Sequence, residues 1–184
     1  FNAELCARLG AQVHPCRKGE VAQAVEAAMD ELRERGFRPY YIYGDRFGKG
    51  NEAAPVQAYV HASGEIADWE RAAGASFDYV FLATGTGMTQ AGLLCGNILS
   101  GSSCKVVGIS VARSAEAAVE HIEGYCRAYL ASRGADVPVN LQSRIQVSDG
   151  FLHGGYGHAD ATERQTIRRA FAHAGMPLDE TYVG

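Results

Sequence analysis

The chain has 184 residues, 47% of them apolar and 21% charged, enough for one domain with a sizeable core. Its formal net charge is -4 and no basic run exceeds a pair, so a nucleic-acid partner is not expected. No apolar stretch reaches the ~18 residues of a membrane span. The five cysteines are odd in number and lack a C-x-x-C pair, which fits free thiols in a reduced, cytoplasmic compartment.

In chain order, Asn2 is placed to cap a short helix that runs to Leu9 and ends at Gly10. Gln12-Val13-His14 reads as a short strand stopped by Pro15. Val21, Ala24, Val25, Ala28, Met29 and Leu32 recur at three and four residues and predict an amphipathic helix closed by Gly36. Tyr40-Tyr41-Ile42-Tyr43 is rich in aromatic and β-branched types and predicts a strand. A polar loop from Gly44 to Ala54 follows, longer than most βα loops, and Pro55 is placed to open the next helix, to about Arg71.

The run Phe77-Asp78-Tyr79-Val80-Phe81-Leu82-Ala83 predicts a strand covered on both faces, and Thr84-Gly85-Thr86-Gly87 leads from it directly into an apolar helix, Met88 to Leu99. Gly85 and Gly87 permit a sharp turn and a close approach of backbone to ligand. The helix start offers free N–H groups and the positive end of its dipole. Thr84, Thr86 and Thr89 add hydroxyls, so the turn reads as an anion site, most often for a phosphate; a plain βα turn is the bland alternative.

Lys105 to Val111 is a further buried strand, and Ser114 is placed to cap a helix with Ile122, Tyr125, Cys126 and Tyr129 along one stripe. Arg144 to Val147 reads as a last strand, then a glycine-rich loop from Asp149 to His158. Asp160 and Glu163 have capping-box spacing ahead of a helix closed by Gly175 and Pro177. The alternation, about five strands and six helices, predicts a layered α/β/α fold with a mainly parallel sheet. The loops from Gly44, Thr84 and Asp149 leave strands and are expected to converge on one cleft.

Several motifs fail on inspection. A dinucleotide loop needs a third glycine where Gln90 stands, with no acidic residue at the right distance beyond: Ser110 and Arg113 are the nearest polar groups. Gly48-Lys49-Gly50 fails the Walker pattern at its third residue. His153, His158 and Asp160 match no compact metal spacing, so no metal is expected. Cys95 sits in an apolar helix and reads as core.

Gly85-Thr86-Gly87-Met88-Thr89-Gln90-Ala91-Gly92-Leu93 resembles the G-S-G-G-T-x-A-G-L phosphate loop of fold-type II pyridoxal-phosphate enzymes, in the D-cysteine desulfhydrase and 1-aminocyclopropane-1-carboxylate deaminase branch. Gly154-Gly155-Tyr156-Gly157 resembles that branch's G-G-Y-G loop, and Leu178 to Gly184 its L-D-P-V-Y-[TE]-G. Asn2 to Val13, Ala58-Tyr59-Val60 and Glu65-Ile66 resemble further segments, so the likeness spans nearly the whole chain.

The resemblance implies pyridoxal 5'-phosphate as cofactor, its phosphate held by Gly85, Thr86, Gly87, Met88 and Thr89, with Val183 facing the pyridine nitrogen. It implies Tyr156 and Tyr182 as catalytic groups, a small amino acid as substrate, release of ammonia and an oxoacid, and a homodimer. Met88 departs from the family's second glycine, and Val183 from its Thr or Glu. Lys18, Lys49 and Lys105 do not stand in the context of the family's Schiff-base lysine. Residues 1–184 are therefore expected to be part of the large cofactor domain, without its N-terminal lysine-bearing region and its C-terminal end. The rival reading is a non-catalytic phosphate- or nucleotide-binding module derived from that family.

Overall fold

The computed structural model describes residues 2–152 and 158–180, without the side chains of Asn2 and Ala3. The chain divides into two compact units, residues 1–51 and residues 52–184.

In the first unit, α1 (Asn2–Arg8) already contains Asn2, so this residue is helical rather than a cap. A single 3-10 turn at Lys18–Glu20 leads into α2 (Val21–Glu34), where the predicted periodicity is realised; Gly36 follows the end with φ +81°. The strands expected at Gln12–His14 and Tyr40–Tyr43 do not form. Aromatic and β-branched residues favour a strand only where a ladder partner is available. Here the backbone is bonded otherwise: Gly44 N donates to Tyr41 O at 3.0 Å, and Asn51 Nδ2 donates to Ile42 O and to the Tyr40 hydroxyl, both at 2.6 Å. The polar loop is itself ordered. Gly44 and Gly50 form an isolated antiparallel bridge, and Asp45 Oδ1 accepts from the N–H groups of Phe47 and Lys49, both at 2.9 Å.

The second unit opens with α3 (Ala53–Ala73). Pro55 is its third residue rather than its first, still inside the turn whose N–H groups have no helical acceptor. Three parallel strands follow, β1 (Tyr79–Thr84), β2 (Lys105–Ser110) and β3 (Gln146–Ser148), in the order β1-β2-β3. The register pairs Tyr79 with Lys105 and Thr84 with Ser110. Helix α4 (Met88–Ser100) connects β1 to β2, and α5 (Ala115–Ser132) with the short α6 (Leu141–Arg144) connects β2 to β3. Ser114 caps α5 by accepting from Ala117 N at 3.3 Å. The expected strand at Arg144 begins two residues later, because Arg144 closes α6. Helix α7 (Ala161–Ala174) carries the reciprocal capping box of Asp160 and Glu163. The α/β class with a parallel sheet holds. Among the described residues there are three strands and seven α-helices, not five and six.

The core is built around α4, whose residues Gln90 through Gly96 are all buried. Ala91, Cys95, Ile122, Cys126, Leu130 and Leu141 are each 0% exposed. Each large aliphatic side chain buried in this way contributes about 1.5–3 kcal/mol. Two glycines bring α4 against α3. A Cβ at Gly92 would lie 2.5 Å from both Tyr59 Cβ and Val56 O, and one at Gly96 would lie 2.6 Å from Ser63 Oγ. Gly124, in contrast, sits in α5 with nothing within 4 Å of an added Cβ.

These surroundings predict opposite effects of the same substitution. Gly124→Ala is expected to stabilise by about 0.5–1 kcal/mol, the ordinary gain from alanine in a helix. Gly92→Ala and Gly96→Ala are each expected to destabilise by about 1–3 kcal/mol, because overpacking outweighs that gain. Denaturant unfolding of the three variants checks this, and a stabilised Gly92→Ala would contradict the close packing of α3 on α4.

Candidate functional site

The C-terminal ends of the parallel strands carry three loops, and two of them meet at the turn after β1. Thr84 ends β1 and is 2% exposed. Gly87 is the N-cap of α4 at φ +92°, and among the described residues no side chain caps the helix start. A Cβ at Gly87 would lie 2.7 Å from Ile122 Cγ1, so both its backbone angle and its packing against α5 require glycine. The first backbone acceptor of the helix is Gly87 O, which takes Ala91 N at 2.9 Å. The N–H groups ahead of Ala91 have no acceptor within the helix and stand at the positive end of its dipole, the arrangement of an anion cradle.

Two side chains outside the turn hold it. Arg113, in the loop after β2, donates from Nη1 to Gly85 O. Its own loop is closed by buried Ser110, whose hydroxyl donates to Arg113 O at 2.7 Å and accepts from Arg113 N at 3.2 Å. Asp149, just past β3, accepts from Ala115 N at 2.8 Å and so caps the first turn of α5. Arg113 and Asp149 thus connect the three strand ends. Sequence reasoning gave neither a role, since each acts through backbone groups far away in the chain. The Gly44 loop belongs to the other unit.

The expected cradle residues Gly85, Thr86, Gly87, Met88 and Thr89 all lie in the turn or the first turn of α4, with Thr86 exposed and Thr89 half-buried. Tyr156, Tyr182 and Val183 lie outside the described residues. So does His153; among the described residues no cluster of metal-ligating side chains exists, and Asp160 is occupied as the cap of α7. Lys105 starts β2 at the opposite end from the turn, about 17 Å away along the strand. Its Nζ is 3.5 Å from the Tyr79 hydroxyl and stands over that ring.

The family model for pyridoxal-phosphate dependent enzymes matches residues 1–181. The chain belongs to this family. It is 33% identical over 168 residues to a putative 1-aminocyclopropane-1-carboxylate deaminase of Pyrococcus furiosus, covering 90% of this chain and 48% of that protein. It is 27% identical over 197 residues to a 1-aminocyclopropane-1-carboxylate deaminase of Mesorhizobium japonicum, covering 100% of this chain and 54% of that protein. A crystal structure described as an ACC deaminase homologue superposes with a TM-score of 0.74 at 27% identity, over 98% of this chain and 53% of that one. The chain thus spans about half the length of the relatives it matches.

Pyridoxal phosphate is the cofactor of this family, and the turn fits its phosphate. Among the described residues the N-terminus of α4 has no side-chain cap, and Thr84 Oγ1 is buried without a hydrogen-bond partner. Neutral donors and a helix dipole at one point suit a dianion and would leave a cation unbalanced.

The thiols are graded by burial. Cys6 and Cys16 are exposed, Cys104 is half-buried, and Cys95 and Cys126 are buried. Burial raises the Cys104 pKa, aided by the carboxylates of Glu70 and Asp78. Cys126 is raised by its hydrogen bond with Cys95 and then by burial.

Two outcomes follow from this geometry. Gly87→Ala is expected to weaken the binding of pyridoxal phosphate by roughly tenfold or more, since strain at a positive φ of about 1–3 kcal/mol falls on the cradle itself; fluorescence titration measures it. Thiol alkylation followed by mass spectrometry is expected to label Cys6 and Cys16 first. Cys104 should follow with a rate that keeps rising at more alkaline pH than for an ordinary thiol, because a raised pKa leaves less thiolate at a given pH. Cys95 and Cys126 should react only on unfolding.

Proposed function

We propose that this chain is part of a pyridoxal-phosphate-dependent lyase or deaminase acting on a small amino acid, of the 1-aminocyclopropane-1-carboxylate deaminase or D-cysteine desulfhydrase kind. The observation that carries the reading is the uncapped start of α4 behind Thr84 to Met88, at the C-terminal ends of parallel strands. In this reading residues 1–184 are part of the large cofactor domain, and the Schiff-base lysine comes from elsewhere in the polypeptide. Relatives named as deaminases support the choice of branch over a non-catalytic binding module.

Gly85 to Thr89 hold the phosphate through backbone N–H groups and hydroxyls. Arg113 keeps the turn in place at Gly85 O. When bound, pyridoxal phosphate withdraws electrons from the α-carbon of an amino acid. Tyr156 and Tyr182 are proposed as the groups that move protons at their phenol oxygens. A phenol beside a cationic centre loses its proton more readily and can act as base and then acid near neutral pH. Val183 is proposed to stand opposite the pyridine nitrogen, where its apolar side chain would offer no hydrogen bond. The expected products are ammonia and an oxoacid, with sulfide in addition from a cysteine substrate. The enzyme is proposed to be a cytoplasmic homodimer.

The test uses the full-length protein with pyridoxal phosphate, assayed for ammonia, sulfide and oxoacid from 1-aminocyclopropane-1-carboxylate and from D-cysteine. Turnover of at least one is expected. Tyr156→Phe and Tyr182→Phe are each expected to lower kcat by about 10²–10⁴-fold, the usual worth of a positioned acid or base. Unchanged turnover in both variants would reject the tyrosine roles, and no turnover of any small amino acid would reject the enzyme reading.

A further inference from the structure

Directly beneath the phosphate turn lies a buried polar layer that the proposed chemistry does not use. Gln90 is in the first turn of α4 and is 0% exposed. Its amide leaves its own helix and enters the sheet. Nε2 donates to Val106 O at 3.3 Å and to Gln146 O at 2.8 Å, so one side chain ties the start of α4 to β2 and to β3. Its Oε1 is buried and has no hydrogen-bond partner among the described residues, as is true of Thr84 Oγ1 just before the turn.

Gly108 makes room for this arrangement. A Cβ there would collide with Gln90 Oε1, and would lie 2.7 Å from Thr84 Cγ2 and 2.8 Å from Gln90 Cδ. An apolar side chain at position 90 would fill the same space without burying the unpaired Oε1, an oxygen that disfavours an amide there. Apolar packing, however, is not directional. An amide bonded to carbonyls on two strands has one position, and the backbone N–H groups just ahead of it on α4 then have one position as well.

We propose that Gln90 is a positioning residue for the phosphate cradle, and that position 108 is glycine in order to admit it. The inference rests on the cofactor reading given above. It concerns the aim of the α4 N–H groups rather than any contact of Gln90 with ligand. A helix start that can shift against β2 and β3 presents the same donors at poorer angles, so phosphate binding weakens while the fold persists.

The experiment compares dissociation constants of the full-length protein for pyridoxal phosphate and for pyridoxal, which lacks only the phosphate. Gln90→Met keeps the volume and removes both donors. It is expected to reduce the preference for the phosphorylated form roughly tenfold, the worth of about one to two hydrogen bonds, and to leave pyridoxal binding within about twofold. Gly108→Ala should act in the same direction by displacing the amide. In a Gln90→Ala background, Gly108→Ala should reduce the preference by less than it does alone, because the amide it displaces is gone and only the contact with Thr84 Cγ2 remains. A merely structural Gln90 would weaken both ligands alike, or neither. A wild-type preference for the phosphorylated form that survives in Gln90→Met and in Gly108→Ala overturns this proposal alone. No such preference in the wild type overturns the cofactor reading, and this proposal with it.

Discussion

Helix α4 must be approached closely on three sides at once, and the second unit depends on its being able to be. Gly92 and Gly96 admit α3, Ala91 and Cys95 meet α5, and Gln90 reaches into the sheet. Small residues on two faces let backbones come near, which turns an ordinary βα connection into the centre of the core. A helix so enclosed has little freedom to tilt or slide. That rigidity matters because its N-terminus is the proposed functional end. An anion is held well by N–H groups only while their directions are fixed.

The turn itself is held from outside as well as from below. Arg113 donates to the carbonyl of Gly85, so a long side chain from the loop after β2 fastens the turn after β1. Asp149 fastens the end of β3 to the first turn of α5, and α5 supplies Ile122 behind Gly87. Each strand end is therefore referred to the same few atoms. Surface ion pairs such as Arg8 with Glu4 or Arg71 with Asp68 are exposed and contribute little to this order.

Apart from the short α6, which the sequence did not announce, the elements of the second unit were legible to within two residues. Strands β1 and β2 are apolar runs of strand length, and Ser114, Asp160 and Gly175 act at the helix ends where their chemistry places them. The first unit was less legible. Tyr40 to Tyr43 has the composition of a strand, yet the carbonyl of Ile42 is taken by Asn51, and no ladder forms. Strand propensity describes fit to a neighbour and cannot supply the neighbour. Gly108 carried a signal that went unread: an isolated glycine within Lys105 to Val111 marks a close approach, and the approaching group is Gln90.

The sequence by itself determined the α/β class, the parallel β1 and β2, the glycine-threonine turn and its likeness to the pyridoxal-phosphate enzymes, because each rests on a contiguous pattern. Periodicity, caps and the Gly-Thr-Gly turn all act over a few residues. What only the tertiary structure decided is how that turn is supported. Gln90 with Gly108 and Gln146, Arg113 with Gly85, and Asp149 with Ala115 are pairs separated by 18 to 56 positions. Their partners are mostly backbone groups, which look the same at every position of a sequence. Folding alone chooses which of those identical carbonyls and N–H groups a given side chain meets.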